Sequence, residues 1–280
     1  MTTASELLRR YAARERDFRD TNLQGASLVG VDLSKANLRG SNLSKANLAG
    51  ACLQGVNLRE VNLSQAILRG TDLREANLIG SDLSKANLTE ANLSHASLRT
   101  SNLIEANLSG ANLSEAILSD AILRDAKLSR VKLIEASLSR TNLTNALLVG
   151  AMLEGANLTN AILIGANLEG ANLSKALLHG ANFTGANLSN VDLNRVKACG
   201  TNMAEVILTG ANLRGANLSW TTLRGANLTK ANFYRAKLCW SNLTGAILVD
   251  AVLLDANLNQ ATLRGADLSR AIMPSGANHE

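Results

Sequence analysis

The chain has 280 residues, of which 46% are apolar, 18% charged and only 2% aromatic, with a single proline and a net charge of +5. That apolar content suffices for a core and excludes a charge-rich disordered chain, while the shortage of aromatics departs from an ordinary globular mix and points to a repeat. Lys and Arg are interspersed with Asp and Glu, a solvated pattern rather than a nucleic-acid footprint, and no run reaches the roughly 18 apolar residues of a membrane helix.

The N-terminal segment, residues 1–15, opens "MTTASELLRRYAARE". It has no apolar stretch followed by a small-residue cleavage site, so a cytoplasmic protein is expected. Thr3 and Glu6 have capping-box spacing and predict a short helix to about Arg14, with Leu7, Leu8 and Tyr11 on one side to cover the first coil near Phe18. The three cysteines, Cys52, Cys199 and Cys239, are odd in number and widely spaced; they fit free thiols in a reducing compartment and offer no metal set.

From Phe18 to Met273 one position recurs every fifth residue without insertion or deletion, giving 52 pentapeptides, 46 of them centred on Leu. The other centres are Phe18, Phe183, Ala198, Met203, Phe233 and Met273. After Arg16 the residue two before each centre is always Ala, Ser, Thr or Val, and the residue just before it is most often Asn. A period of five matches neither 3.6 nor 2, so a helix or a flat strand would scatter the leucines over every side. A straight side and a corner in each pentapeptide solves this: four sides close a square coil of 20 residues with Leu and the small residue inward. Coils stacked at about 4.8 Å make an all-β solenoid of about 13 coils over residues 16–275. Of the 21 glycines, 20 fall two residues after a centre, where a type II turn needs a positive φ. The Asn before each centre can bond the turn backbone and meet its counterpart one coil away.

The A(D/N)LXX phrase resembles the pentapeptide repeat proteins, and the likeness covers residues 16–275. The opening "ELLRRYAARERDF" and the closing "AIMPSGANHE" are similar to cyanobacterial members of the heterocyst-differentiation type. The resemblance implies a right-handed quadrilateral β-helix. It also brings two function classes, a protein-binding scaffold or regulator and a DNA-mimicking topoisomerase-binding protein.

Outward positions follow from the same register. Arg19, Arg39, Arg59 and Arg99 form one column, relieved by Asp17, Asp20 and Glu60. In "RVKACGTNM", Ala198 and Met203 break the phrase inside the core, and Phe183 one coil below Met203 compensates the volume, so the break is read as packing. Outside the same coils both tryptophans, Trp220 and Trp240, are 20 residues apart and share one corner. Arg195, Lys197, Arg214, Tyr234, Arg235 and Lys237 lie on the adjoining side and its other corner. Trp, Tyr and Arg are the residues of interaction hot spots, so these eight are the candidate protein-binding site. The single proline, Pro274, precedes the tail, residues 276–280, which looks too short to cover the last coil; a homodimer through that coil is a further expectation.

The three histidines fall on separate parts of the repeat and are expected to stand alone on the surface. The coils should be convex, with no cleft to exclude water around a carboxylate pair, and the glycines have corner spacing rather than that of a phosphate loop. No enzyme, cofactor or metal is therefore expected. The expected partner is a protein of unidentified kind, with an acidic surface favoured by the basic side. Mimicry of DNA calls for an acidic protein and tight DNA binding for denser positive charge, so neither is expected here.

Overall fold

The computed structural model describes residues 4–278. The helix α1, Ala4–Ala12, precedes the repeat; Thr3, its expected cap, lies outside the described residues. The chain divides into two compact units, Met1–Asn142 and Leu143–Glu280.

In the first unit α1 ends two residues earlier than its sequence suggests. The Glu15 N–H donates to the Arg10 carbonyl (3.1 Å), the Arg14 N–H donates to the Tyr11 carbonyl (2.9 Å), and Arg14 has φ 70°. That pair of bonds around a left-handed residue is a Schellman stop, made here without glycine. Leu7 is fully buried, the Tyr11 hydroxyl donates to the Ser34 carbonyl (3.0 Å), and the Arg10 guanidinium lies 5.2 Å from the Phe18 ring centre. The helix thus covers the first coil, as its apolar side requires.

Parallel bridges then join residues 20 apart, from Asp17 with Asn37 to Ile122 with Asn142. Each side is so short that only the residue before the centre bridges. The ladder is therefore a stack of single bridges rather than of long strands. Between the first and second coils, the Leu23 N–H donates to Asn42 O (2.7 Å) and the Asn42 N–H to Thr21 O (2.9 Å), while the Ala26 N–H closes the corner on Leu23 O (3.0 Å). The residue two after the centre has positive φ, 66° at Gly25, which is the turn geometry expected from glycine placement. Asn side chains do both things expected of them. Asn22 Oδ1 accepts from the Gln24 N–H (3.2 Å), and Asn57 Nδ2 donates to Asn37 Oδ1 one coil away (2.9 Å).

The second unit repeats this from the bridge of Leu147 with Asn167 to that of Val252 with Ile272. In both units the centres before the last coil are inside: Leu93 and Leu158 are 0% exposed. Where the small inward residue is Thr, its hydroxyl finds a carbonyl, as Thr71 does on Leu48 (2.8 Å) and Thr221 on Ala198 (2.8 Å). Such bonds avoid leaving a buried polar group unpaired. Ala198, Met203, Phe183 and Phe233 are all fully buried, and the backbone bonds of Ala198 and Met203 continue the ladder.

The tail folds back. Met273 N–H donates to Ala277 O (2.8 Å), and Ile272 makes an antiparallel bridge with Asn278. It covers one side of the last coil, while Leu258, Leu263, Leu268 and Met273 remain only half-buried.

Candidate functional site

The backbone of the second unit sets every candidate residue at a corner or on the flat between two corners. Trp220 and Trp240 occupy one corner, with ring centroids 5.1 Å apart and planes within 2° of parallel. They are 60% and 53% exposed, and their backbones are held by bonds from Trp220 N–H to Cys239 O (2.9 Å) and Trp240 N–H to Asn259 O (3.0 Å). Both have left-handed φ, 62° and 60°. Gly200, next below in that column, meets the same turn without a side chain (φ 68°).

At the other corner the side chains converge. The guanidiniums of Arg214 and Arg235 lie 4.7 and 4.8 Å from the Tyr234 ring centre. Arg195, Arg214, Tyr234 and Arg235, with Asn194 and Gly215, line a notch of about 200 Å³. This corrects the expectation of an unbroken convex surface. The corner column reads Arg195, Gly215, Arg235, and the missing side chain at Gly215 leaves a gap between two long cationic ones. Asn194 Nδ2 donates to Arg214 O (3.2 Å), and Arg235 Nε lies 3.3 Å from Asp255 Oδ2. Asn194, Gly215 and Asp255 were not among the residues expected from sequence; the signal was a glycine between two arginines in one column.

Lys197 and Lys237 are exposed on the flat between the corners, bridged through Asn217. The structure thus brings Arg195, Arg214, Tyr234 and Arg235 together, and sets the Trp pair across the flat from them. Cys199 and Cys239 are half-buried, and all three cysteines are free.

Several other surface positions form pairs one coil apart. Arg39 reaches Glu60 (3.1 Å) and Arg140 reaches Asp120 (2.7 Å). The Arg140 guanidinium, by hydrogen bonding, holds the Asp120 carboxyl below the usual range. His95 does not stand alone: its Nδ1 lies 3.5 Å from Glu115 Oε2, because corner side chains 20 residues apart are vertical neighbours. Its pair is exposed, with no enclosing cleft. His279 lies outside the described residues.

The sequence matches the family described as Pentapeptide repeats in eight stretches, residues 17–55, 57–94, 81–120, 121–160, 161–197, 192–229, 207–245 and 231–270. Among solved structures it is similar to HetL, a pentapeptide repeat protein involved in heterocyst differentiation regulation from the cyanobacterium Nostoc sp. strain PCC 7120. The identity is 34% over 100% of both chains, with a TM-score of 0.46. It is also similar to alr5209, a pentapeptide repeat protein from Nostoc PCC 7120, at 40% identity over 36% of this chain and 80% of that one (TM-score 0.34). A trypsin-treated variant of QnrB1, a plasmid-mediated fluoroquinolone resistance protein, is 17% identical over 74% of this chain and 89% of its own (TM-score 0.44). No curated relative matches the chain. With the family matched from residue 17 to residue 270 and a member 34% identical over the full length, the chain belongs to the pentapeptide repeat family.

Proposed function

We propose that this protein is a non-enzymatic scaffold or regulator that binds another protein through the ridge of Trp220 and Trp240 and the basic corner beside it. The observation that carries this is the parallel Trp pair held at exposed, left-handed corners. A bulky residue there costs roughly 1 to 3 kcal/mol of backbone strain, and neither ring contributes to the buried core. Mutual stacking returns only about 0.5 to 1.5 kcal/mol for the pair, less than the strain of two such corners, so the fold gains nothing from the tryptophans and their exposed aromatic surface is free for a partner. The site residues are Arg195, Lys197, Arg214, Trp220, Tyr234, Arg235, Lys237 and Trp240.

The full-length likeness to HetL supports a place in cyanobacterial cell differentiation; nitrogen-related physiology and a cytoplasmic location are further parts of the proposal. The coil is right-handed, as family membership implies. The half-buried centres of the last coil support a second contact, with another copy of this chain; Leu263→Lys should abolish any dimer seen by sedimentation velocity. The other reading, a DNA-mimicking topoisomerase-binding protein, is disfavoured by a net charge of +5, opposite in sign to a phosphate backbone.

Affinity capture with wild type and with Trp220→Ala combined with Trp240→Ala tests the ridge. The double variant should remain folded by circular dichroism and lose its partner, with affinity weaker by roughly 2 kcal/mol or more. Capture of the same partner at unchanged affinity would sink this reading.

A further inference from the structure

We infer that the notch at Tyr234 and the flat beside it take an acidic, extended segment of the partner protein. Its carboxylates lie among Arg195, Arg214 and Arg235, and an apolar side chain of the same segment packs on the Trp220 and Trp240 edge. This rests on the ridge being a binding surface and adds the chemistry of what it binds.

Charge carries the argument first. Elsewhere in this unit three cations reach carboxylates on neighbouring coils, Lys175 with Glu154 (2.7 Å), Arg270 with Asp250 (2.7 Å) and Arg224 with Glu205 (3.8 Å), while Lys230 and Arg264 stand singly without an ion pair among the described residues. On the candidate face Arg195, Lys197, Arg214 and Lys237 have no carboxylate partner among the described residues, and only Arg235 has one, Asp255. Five cations with one carboxylate form a surface that an acidic segment would complete.

Geometry selects carboxylates on an extended chain. A guanidinium is a planar fork of donors that matches a carboxylate in two parallel bonds. Arg214 and Arg235 are already oriented by the Tyr234 ring, so less side-chain freedom is lost when they bind. Gly215 leaves the room, with nothing but Arg195 Cγ within 4 Å of where its Cβ would stand. From notch to ridge is one pentapeptide side, about 10 Å or roughly three extended residues. A segment with an acidic residue at one end of that span and an apolar one at the other therefore meets both corners, passing Lys197 and Lys237 between. A single-stranded nucleic acid fits less well, because the two indole rings are closed against each other and admit no base between them.

The test displays a random 12-residue peptide library to the full-length protein at physiological salt. The expected winners carry Asp or Glu together with an apolar residue. Their affinity should fall at least tenfold on Arg195→Gln with Arg214→Gln, and on Gly215→Gln, which fills the notch while keeping every arginine. Circular dichroism melting controls for folding of each variant. Enrichment of neutral or basic peptides, unchanged affinity in both notch variants, or displacement of the peptides by equimolar single-stranded DNA would overturn the inference. The Trp220→Ala, Trp240→Ala variant separates the two readings. Acidic peptides lost only by the notch variants uphold the notch and remove the ridge, whereas neutral apolar peptides lost only by the Trp variant do the reverse.

Discussion

Arg14 and Trp220 share a backbone conformation that glycine alone reaches without strain, with φ of 70° and 62°. At Arg14 the side chain makes no ion pair among the described residues, and the left-handed turn only stops α1. Arg14→Gly should therefore stabilise the first unit by about 1 kcal/mol, read as a higher denaturant midpoint; a lower midpoint would show that the arginine contributes something the turn does not need. The reverse case is Ala198. It is fully buried beside Met203, with Phe183 also fully buried in the next coil, so the residue that is regular elsewhere in the repeat has no room here. Ala198→Leu should cost about 1 to 3 kcal/mol by overpacking, and a midpoint at or above wild type would refute the packing account. These positions also show what a sequence can and cannot disclose. The inward register and the corner glycines were legible because each is a local pattern with a fixed period. The pairing of His95 with Glu115 and the notch at Gly215 were not, because both depend on where long corner side chains point across neighbouring coils.

At the scale of the element, α1 is tied to the first coil by Leu7, by the Tyr11 hydroxyl on Ser34 O and by the Arg10 guanidinium over Phe18, and local ion pairs brace the helix and the turn after it. Hydrogen bonding from Arg9 holds the Glu6 carboxyl below its usual range, Arg10 does the same for Glu15, and Arg19 for Asp17. Asp32, beneath Tyr11, is lowered by bonds from the Ser34 hydroxyl and backbone N–H. A carboxyl whose folded pKa is depressed contributes stability above its unfolded value, about 4, and loses it as pH falls through the folded value. Acid should thus loosen the cap before the coils, whose inward Leu centres hold no titrating group although outward carboxyls such as Asp72 and Asp120 are lowered in the same way. Between pH 6 and pH 2.5 the α1 amides should broaden or shift in an NMR spectrum before those of central coils such as the one containing Leu93. Simultaneous loss of both sets would mean that the cap and the coil melt as one unit. The existence of this helix was readable from its apolar side; its end was set by a Schellman stop that an arginine makes in the place where glycine is usual.

For the whole molecule, the sign and distribution of charge set what each of the two function classes would require. Duplex DNA presents one negative charge about every 1.7 Å, so a protein that imitates it must be strongly acidic, and one that grips it must present dense unpaired cations. The net charge here is +5 over 280 residues, the wrong sign for imitation. Many cations are already matched along the coils, as Arg140 is with Asp120 and Arg270 with Asp250, and those without an ion pair among the described residues are spread along both units, from Lys35 and Lys45 through Lys127, Arg130 and Lys132 to Arg195, Lys197, Arg214 and Lys237. Under the proposal above, the group of Arg195, Lys197, Arg214 and Lys237 suffices to select an acidic peptide, and cations spread this sparsely do not replace the counterions of a long duplex. The protein should therefore leave DNA topoisomerase activity unchanged when present at several-fold molar excess in a supercoiling assay. Fluorescence anisotropy at physiological salt should show no submicromolar binding to duplex DNA. Stoichiometric inhibition would restore the mimicry reading in spite of the charge, and submicromolar duplex affinity with a steep salt dependence would place the cations of the Tyr234 notch on phosphate instead of carboxylate.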